Sequence, residues 1–293
     1  MYRFGSILFS VAIAISSLSP RLVDAQNATP DPSLRVSLES SYNAWRSAIS
    51  AKDIAQWEAT TAYSRQINIQ NRILSQRLPF PSAFFDDPIQ APSLGGLIAM
   101  GVLSTGETAT STYYGKANFG AEPGTAVTDN LLVLHFLKED GTWKFDSLRI
   151  VKPGNDGELL LQIRNGDFSF MAGIDFQPAP KLPPVPQPVV SPDFVGEVWV
   201  DATGYEVTLT FNGHPLEKFS NIKIADLIIG GLKRGQNSIV VKSKRIVEST
   251  DLTPKVEVAV YAAKSAGEPA ERVYHYRPEG APEPELRDTI MVQ

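Results

Sequence analysis

Few side chains in this sequence are of a kind that does acid–base chemistry, and they stand in no recognised catalytic pattern. His135 lies within the apolar run Leu131–Leu137, far from the other two histidines, His214 and His275. An imidazole there is either a proton carrier or a packed strand residue. Tyr63, Tyr113 and Tyr114 offer phenolic hydroxyls, although aromatics serve equally as sheet packing. Arg65 and Arg72 stand two turns apart on one helix face, suited to an anionic group or simply to water. Paired histidines at metal spacing are missing, as is a nucleophile elbow, and Gly95-Gly96 forms no phosphate loop. The sequence therefore names no catalytic residue, no metal ligand and no cofactor. A second group, Lys242, Lys244 and Arg245, with Lys233 and Arg234 nearby, makes a local basic patch. It suits an acidic partner or an anionic glycan. The alternative is an edge strand kept from aggregating by its lysines.

The elements that must position these residues begin with a helix. Leu38, Tyr42, Trp45 and Ile49 recur at helical spacing and share one apolar face. Asp53 precedes Ile54, Trp57 and Thr61 as the N-cap of a second helix, because a carboxylate there satisfies orphan backbone N–H groups at the positive end of the dipole. Ser64–Gln76 continues as a third helix. Ile67, Ile69, Ile73 and Leu74 are its apolar positions, Arg65, Asn68, Arg72 and Gln76 face the other way, and Pro79 and Pro81 end it. The period then changes to that of strands, at Leu97–Leu103, Ala109–Tyr114, Ala126–Leu137 and Trp143–Val151. Turns fall at Ser104–Glu107, at Pro123-Gly124 and at Glu139–Gly141.

Three helices followed by an antiparallel meander predict an α+β domain over residues 33–153, with the helices on one face of a curved antiparallel sheet. The Trp45–Asp53–Trp57 spacing around Ala-Lys-Asp-Ile, with the hairpin Asp140–Arg149, resembles the nuclear-transport-factor-two-like superfamily. That cone-shaped fold includes SnoaL-type cyclases and ketosteroid isomerase. The resemblance implies a pocket between the helices and the concave sheet. His135, Tyr63, Tyr113, Arg65 and Arg72 are its candidate lining, and an isomerase, dehydratase or cyclase is the activity implied, with His135, Asp53 or a tyrosine transferring the proton. It also implies possible dimerisation through this domain. The superfamily equally holds carriers and interaction modules.

Glu158–Arg164 reads as a short helix stopped by Asn165-Gly166. Phe168, Phe170, Met171, Ile174 and Phe176 are too apolar to hang in water, so residues 154–176 are expected to pack back on a domain. Residues 177–192 form a proline-rich linker of polyproline II character. From 193 to 277 helical periodicity disappears. Six strands, with an Asn212-Gly213 hairpin between the second and its continuation, predict an all-β sandwich. The segment Phe211–Leu216 with Leu232–Val241 resembles immunoglobulin-like and galactose-binding-like modules. Such modules are often structural, and the resemblance transfers no sugar site. Trp199, Tyr205, Tyr261, Tyr274 and Tyr276 either divide between core and rim or build an aromatic platform for sugar rings, which requires an exposed coplanar pair. Residues 278–293, rich in Pro and Glu, read as a disordered tail.

Residues 1–25 carry the marks of a secretory signal: Arg3, the apolar run Ile7–Leu18 and the small-x-small site Val23-Asp24-Ala25. The expectation is an exported protein, periplasmic or extracellular, with no membrane span after cleavage, since later apolar runs are too short. No cysteine occurs, so no disulfide staples the fold. The chain carries a net charge of −5, and losing Arg3, Arg21 and Asp24 makes it more negative. That balance argues against nucleic acid as the main partner. These features point first to an exported two-domain protein without catalytic activity that binds a partner protein, a glycan or a small hydrophobic ligand.

Overall fold

A computed structural model describes residues 32–86, 91–117, 127–153, 156–247 and 253–293. The signal region and the Pro123-Gly124 turn lie outside them. Helices and antiparallel sheets divide between two compact units. Among the described residues, one holds 32–66 and 85–185, the other 67–84 and 186–293.

In the first unit, α1 (Pro32–Ala51) buries Leu38, Tyr42, Trp45, Ala48 and Ile49, the face predicted from their spacing. Lys52 takes a positive φ of 55°, turning the chain into Asp53. The Asp53 carboxylate accepts from the Gln56 N–H at 3.0 Å and opens α2 (Ile54–Thr60), as expected of an N-cap. Helix α3 (Tyr63–Ser75) starts here, its Tyr63 N–H held by the Glu139 carboxylate at 2.9 Å. A short α4 (Ser82–Asp86) was not foreseen. Strands β1 (Ile98–Ser104), β2 (Thr108–Gly115), β3 (Asn130–Glu139) and β4 (Thr142–Val151) form an antiparallel meander in that order. The central β3 is buried on both sides, as its unbroken apolar run requires. Phe145 on β4 packs at 4.1 Å from the Trp45 ring and 5.3 Å from Tyr42, which fixes α1 over one side of the sheet. Helix α5 (Gly157–Asn165) is capped by Asp156, which the sequence reading did not mark, and Gly166 stops it at a left-handed φ of 68°, as predicted. The segment after it packs only in part. Met171 and Phe176 are buried against Met100, Leu131 and Val133, whereas Ile174 is 78% exposed.

The second unit contains two antiparallel sheets. One has the order β12 (Glu271–Tyr276), β11 (Glu257–Ala263), β5 (Val195–Asp201), β9 (Lys223–Leu227). The other runs β13 (Glu285–Val292), β10 (Gly235–Arg245), β6 (Tyr205–Phe211), with the short β7 (His214–Pro215) and β8 (Phe219–Ser220) both on β6. Alternate residues of both sheets, among them Val198, Val200, Val207, Leu209, Ile239, Val258 and Ile290, share one apolar core. Asn212 and Gly213 take positive φ values of 49° and 86°, the tight hairpin their dipeptide predicts.

Two expectations are corrected. The 278–293 tail is not structureless: β13 pairs with β10 from Gly235↔Val292 to Lys242↔Glu285 and buries Ile290 and Val292. Its inward positions were masked by flanking Pro and Glu. Helix α3 does not belong wholly to the first unit, since its residues from Ile67 onward count with the paired sheets. Asn71, which is 2% exposed, accepts the Val189 N–H at 3.0 Å and donates to the Gln187 carbonyl at 2.8 Å. Ser75 accepts from the Gly230 N–H at 2.8 Å. The end of the proline-rich segment is thus gripped by a helix side chain.

Candidate functional site

The side of the first unit's sheet under α1 is where a cone fold would hold its pocket. Its centre is filled by the chain's own rings: Tyr42, Trp45, Phe136 and Phe145, with neighbouring centroids 4.1 to 5.9 Å apart. Polar groups gather beside them. The Tyr113 hydroxyl on β2 donates to Glu39 on α1 at 3.0 Å, and Arg35 pairs with the same carboxylate at 3.1 Å. Tyr42 donates to the Pro92 carbonyl at 2.9 Å, and Arg46 reaches the Ala91 carbonyl at 3.0 Å. Burial pushes both phenols well above the ordinary tyrosine range, against the pull of Arg46 on Tyr42 and reinforced by Glu39 at Tyr113. Both stay protonated donors. Chemically the group can hold a polar atom and pass a hydrogen bond from phenol to carboxylate.

The predicted site residues are not brought together. Tyr113 lies on the α1 side. His135 pairs in the ladder with Thr110 and Ser147 and, with Leu131 and Val133, faces the opposite side, under the segment after α5. The apolar run hid which side it would face, because both sides of β3 are covered. Burial holds its imidazole below the ordinary range, Asp146 opposing and Arg149 adding to the effect. Tyr63 is 50% exposed and lines no interior. Arg65 sits half-buried in the first turn of α3. Arg72 falls in the other unit, 4.0 Å from Asp226.

The basic patch is also redistributed. Strand β10 is central, between β6 and β13, so it is not a lysine-guarded edge. Lys242 pairs with Glu285 at 3.2 Å, Lys244 lies opposite Glu206, and Arg245 bonds the Gly204 carbonyl while its guanidinium lies 5.3 Å from the Tyr205 ring centre. Among the described residues Lys244 keeps its charge clear of a bonded partner, as does Lys233, while the Arg234 guanidinium lies 5.4 Å from the Phe194 ring centre.

The strongest polar assembly lies where no motif pointed. Asp201, 1% exposed, accepts the Thr203 hydroxyl at 2.6 Å and pairs with Lys223 at 3.2 Å and Lys255 at 3.4 Å. Lys255 also pairs with Glu257, which receives His275 at 2.8 Å. Burial alone would raise both carboxyls; their hydrogen bonds outweigh it and hold Asp201 and Glu257 below the carboxylate range. Every charge in this ladder is met from within, so it braces the sheet. Trp199 and Tyr261 beside it are half-buried and not in ring contact, short of the exposed pair a sugar platform needs.

Sequence reasoning missed Glu39, Arg46, Asp201 and Glu257. Glu39 and Arg46 had only helical spacing to Tyr42 and Tyr113's later position to mark them, and that pairing exists only across the fold. No group of three or more His, Cys, Asp or Glu placed to hold a metal occurs among the described residues. None of their helices is long and apolar enough to cross a membrane. Comparison with protein-family models, with curated proteins and with solved structures found no match to this chain.

Proposed function

We propose that this chain is an exported, non-enzymatic binding protein built from a cone-type α+β unit and a β-sandwich unit. It engages a partner protein or a surface glycan, and its recognition surfaces lie outside the helix–sheet core. The observation that carries this reading is the aromatic filling of that core by Tyr42, Trp45, Phe136 and Phe145, which occupies the place of an enclosed ligand. The test is native mass spectrometry of the exported chain from Gln26 onward, alone and mixed with surface glycans or envelope proteins. The expected result is a bare chain, as monomer or as a dimer through the first unit, that gains mass only with a partner. A retained small apolar molecule, expelled on activation, would overturn it.

A second reading, proton transfer on a small molecule, is favoured by one contact: the Tyr113 hydroxyl 3.0 Å from Glu39. A phenol kept protonated beside a carboxylate is the kind of pair that polarises a carbonyl and moves a proton. Its test is the ligand retention above, repeated with Tyr113→Phe. Retention by the native chain that the variant loses supports this reading, and equal retention removes it.

A further inference from the structure

The basic residues of the paired-sheet unit fall into two sorts. Lys218, Lys223, Lys242, Lys255 and Arg287 each pair with a carboxylate on a strand, and Arg72 lies 4.0 Å from Asp226. Arg77, Lys233, Arg234 and Lys264 are exposed and make no ion pair among the described residues. The fold gathers these last at one place. Phe194 and Leu232 exchange both backbone hydrogen bonds at 2.9 Å, which sets the turn carrying Lys233 and Arg234 beside residues 193 and 194. Ala263, the last residue of β11, pairs with Val195, so Lys264 follows at the level of Phe194. Arg77 comes from the end of α3, at a left-handed φ of 60°, and its guanidinium ties the group together.

Arg77 is held by one nitrogen and open at the others. Its Nη1 donates to the Asp193 carbonyl at 2.8 Å and to the Lys264 carbonyl at 2.5 Å. Those bonds take both Nη1 protons and leave the edge formed by Nε and Nη2 without an acceptor among the described residues. That edge is the fork that grips an oxyanion through parallel hydrogen bonds. The carbonyl oxygens fix the group but do not cancel its charge. The Arg234 guanidinium lies over the Phe194 ring, 5.4 Å from its centre, so it too is located by the fold while remaining exposed. Of the carboxylates on the same turns, Asp193 accepts the Arg234 N–H at 2.8 Å, and Glu268 makes no ion pair among the described residues. The cations outnumber them, which leaves a positive spot on a chain whose net charge is −5.

We propose that Arg77, Lys233, Arg234 and Lys264 form a binding site for an anionic polysaccharide, whose carboxylate or sulfate groups seat on the Arg77 fork and the Arg234 edge. The inference rests on the binding reading above and narrows its glycan to one carrying repeated negative charge. Charge complementarity selects a polyanion, and the absence of an apolar anchor selects a polysaccharide over a protein. A protein interface is centred on large side chains that become desolvated. None stands exposed among these cations, and the one ring present, Phe194, is 7% exposed. Two located guanidinium groups flanked by lysines suit charges repeated along a flexible chain. Each contact is weak alone, and several engaged together hold.

The test is calorimetric titration of the chain from Gln26 onward with polygalacturonate and with dextran sulfate, neutral dextran serving as the control. Binding of one or both polyanions is expected, the pair telling a carboxylate from a sulfate ligand. Affinity should fall on the order of tenfold as salt rises from about 0.05 to about 0.2 M. Arg234→Gln combined with Lys264→Gln should weaken binding on the order of tenfold, whereas Lys242→Gln combined with Lys244→Gln leaves it unchanged. Failure of both polyanions to bind overturns the inference, as does equal weakening by the two pairs of substitutions, which would mark unspecific attraction. Binding of polyglutamate in place of the polysaccharides overturns it too and assigns the site to an acidic protein. Should the Arg234–Lys264 variant fail to fold, hydrogen–deuterium exchange of the native chain decides. Protection gained at amides 233–236 and 264–267 on adding polygalacturonate upholds the site, and gain only elsewhere sinks it. Retention of a neutral glycan or an envelope protein, with neither polyanion bound, counts against this site alone; retention of nothing sinks the binding reading with it.

Discussion

The two units treat their buried polar groups in opposite ways. In the helix-and-sheet unit Ser41, Thr61, Ser64, Ser111, Thr112 and Asn130 each keep a buried oxygen without a partner among the described residues. In the paired-sheet unit the buried polar side chains are saturated. Asn237 accepts the Lys233 N–H at 2.8 Å, receives the Asn212 amide at 2.9 Å and donates to the Lys233 carbonyl at 2.8 Å. Asp201 and Asn71 are met as fully. A buried unpaired hydroxyl costs about 1–3 kcal/mol, so the first unit gives up stability that the second keeps. The unit that gives it up is the one carrying the phenol–carboxylate pair.

This contrast can be broken by substitution. The largest loss is expected from Trp45→Ala, which empties the aromatic contact of α1 with Phe145; urea unfolding should record about 3–5 kcal/mol. Its effect should be confined to exchange protection in the helix-and-sheet unit. In the other unit Asn237→Ala removes the hub of the β6 turn and the loop before β10, at a cost of about 2–3 kcal/mol. Were either loss to spread over both units, the description as two separately packed bodies would fail.

Acid should separate them next. Asp201 and Glu257 are depressed below 3.8 and 4.5, so their contribution is full above those values and lost only as pH falls through the lower folded ones. The His135 contribution is lost earlier, starting near 6.5. Circular dichroism and exchange across an acid titration should show the helix-and-sheet unit losing protection first and the paired sheets holding until below about pH 4. A single concerted transition would erase the distinction.

The smallest effects carry the sharpest sign. Thr112→Val removes an unpartnered hydroxyl and should be neutral or stabilising by up to about 1 kcal/mol, whereas Thr203→Val, which strips a 2.6 Å hydrogen bond from Asp201, should cost about 1–2 kcal/mol. Equal losses at the two sites would show that Thr112 is satisfied in solution.

Local spacing was sufficient wherever the deciding partner lay a few residues away. The apolar face of α1, the Asp53 cap, the Gly166 stop, the Asn212-Gly213 hairpin and six strands of the second unit follow from period, capping and turn chemistry. Those are short-range matters of backbone satisfaction and sidedness, and they leave a pattern in the chain itself. The paired-sheet core was also legible, because alternation along β6 and β10 marks inward residues directly.

What only the tertiary structure decided is which side and which partner. The run Leu131–Leu137 is apolar except for His135, so its pattern carries no sidedness, and the ladder to Thr110 and Ser147 alone put His135 on the side turned away from α1. Asn71 and Ser75, polar residues that the helical pattern placed on neither face, turn inward because the backbone groups of Gln187, Val189 and Gly230 need partners. The basic run of β10 looked like a guarded edge until β13, read as a tail, supplied Glu285 opposite Lys242. In each case the deciding atom lies on a strand or loop far along the chain. Coulomb attraction and hydrogen bonding act through space, so a sequence shows the charges and the donors but only the fold says which of them meet.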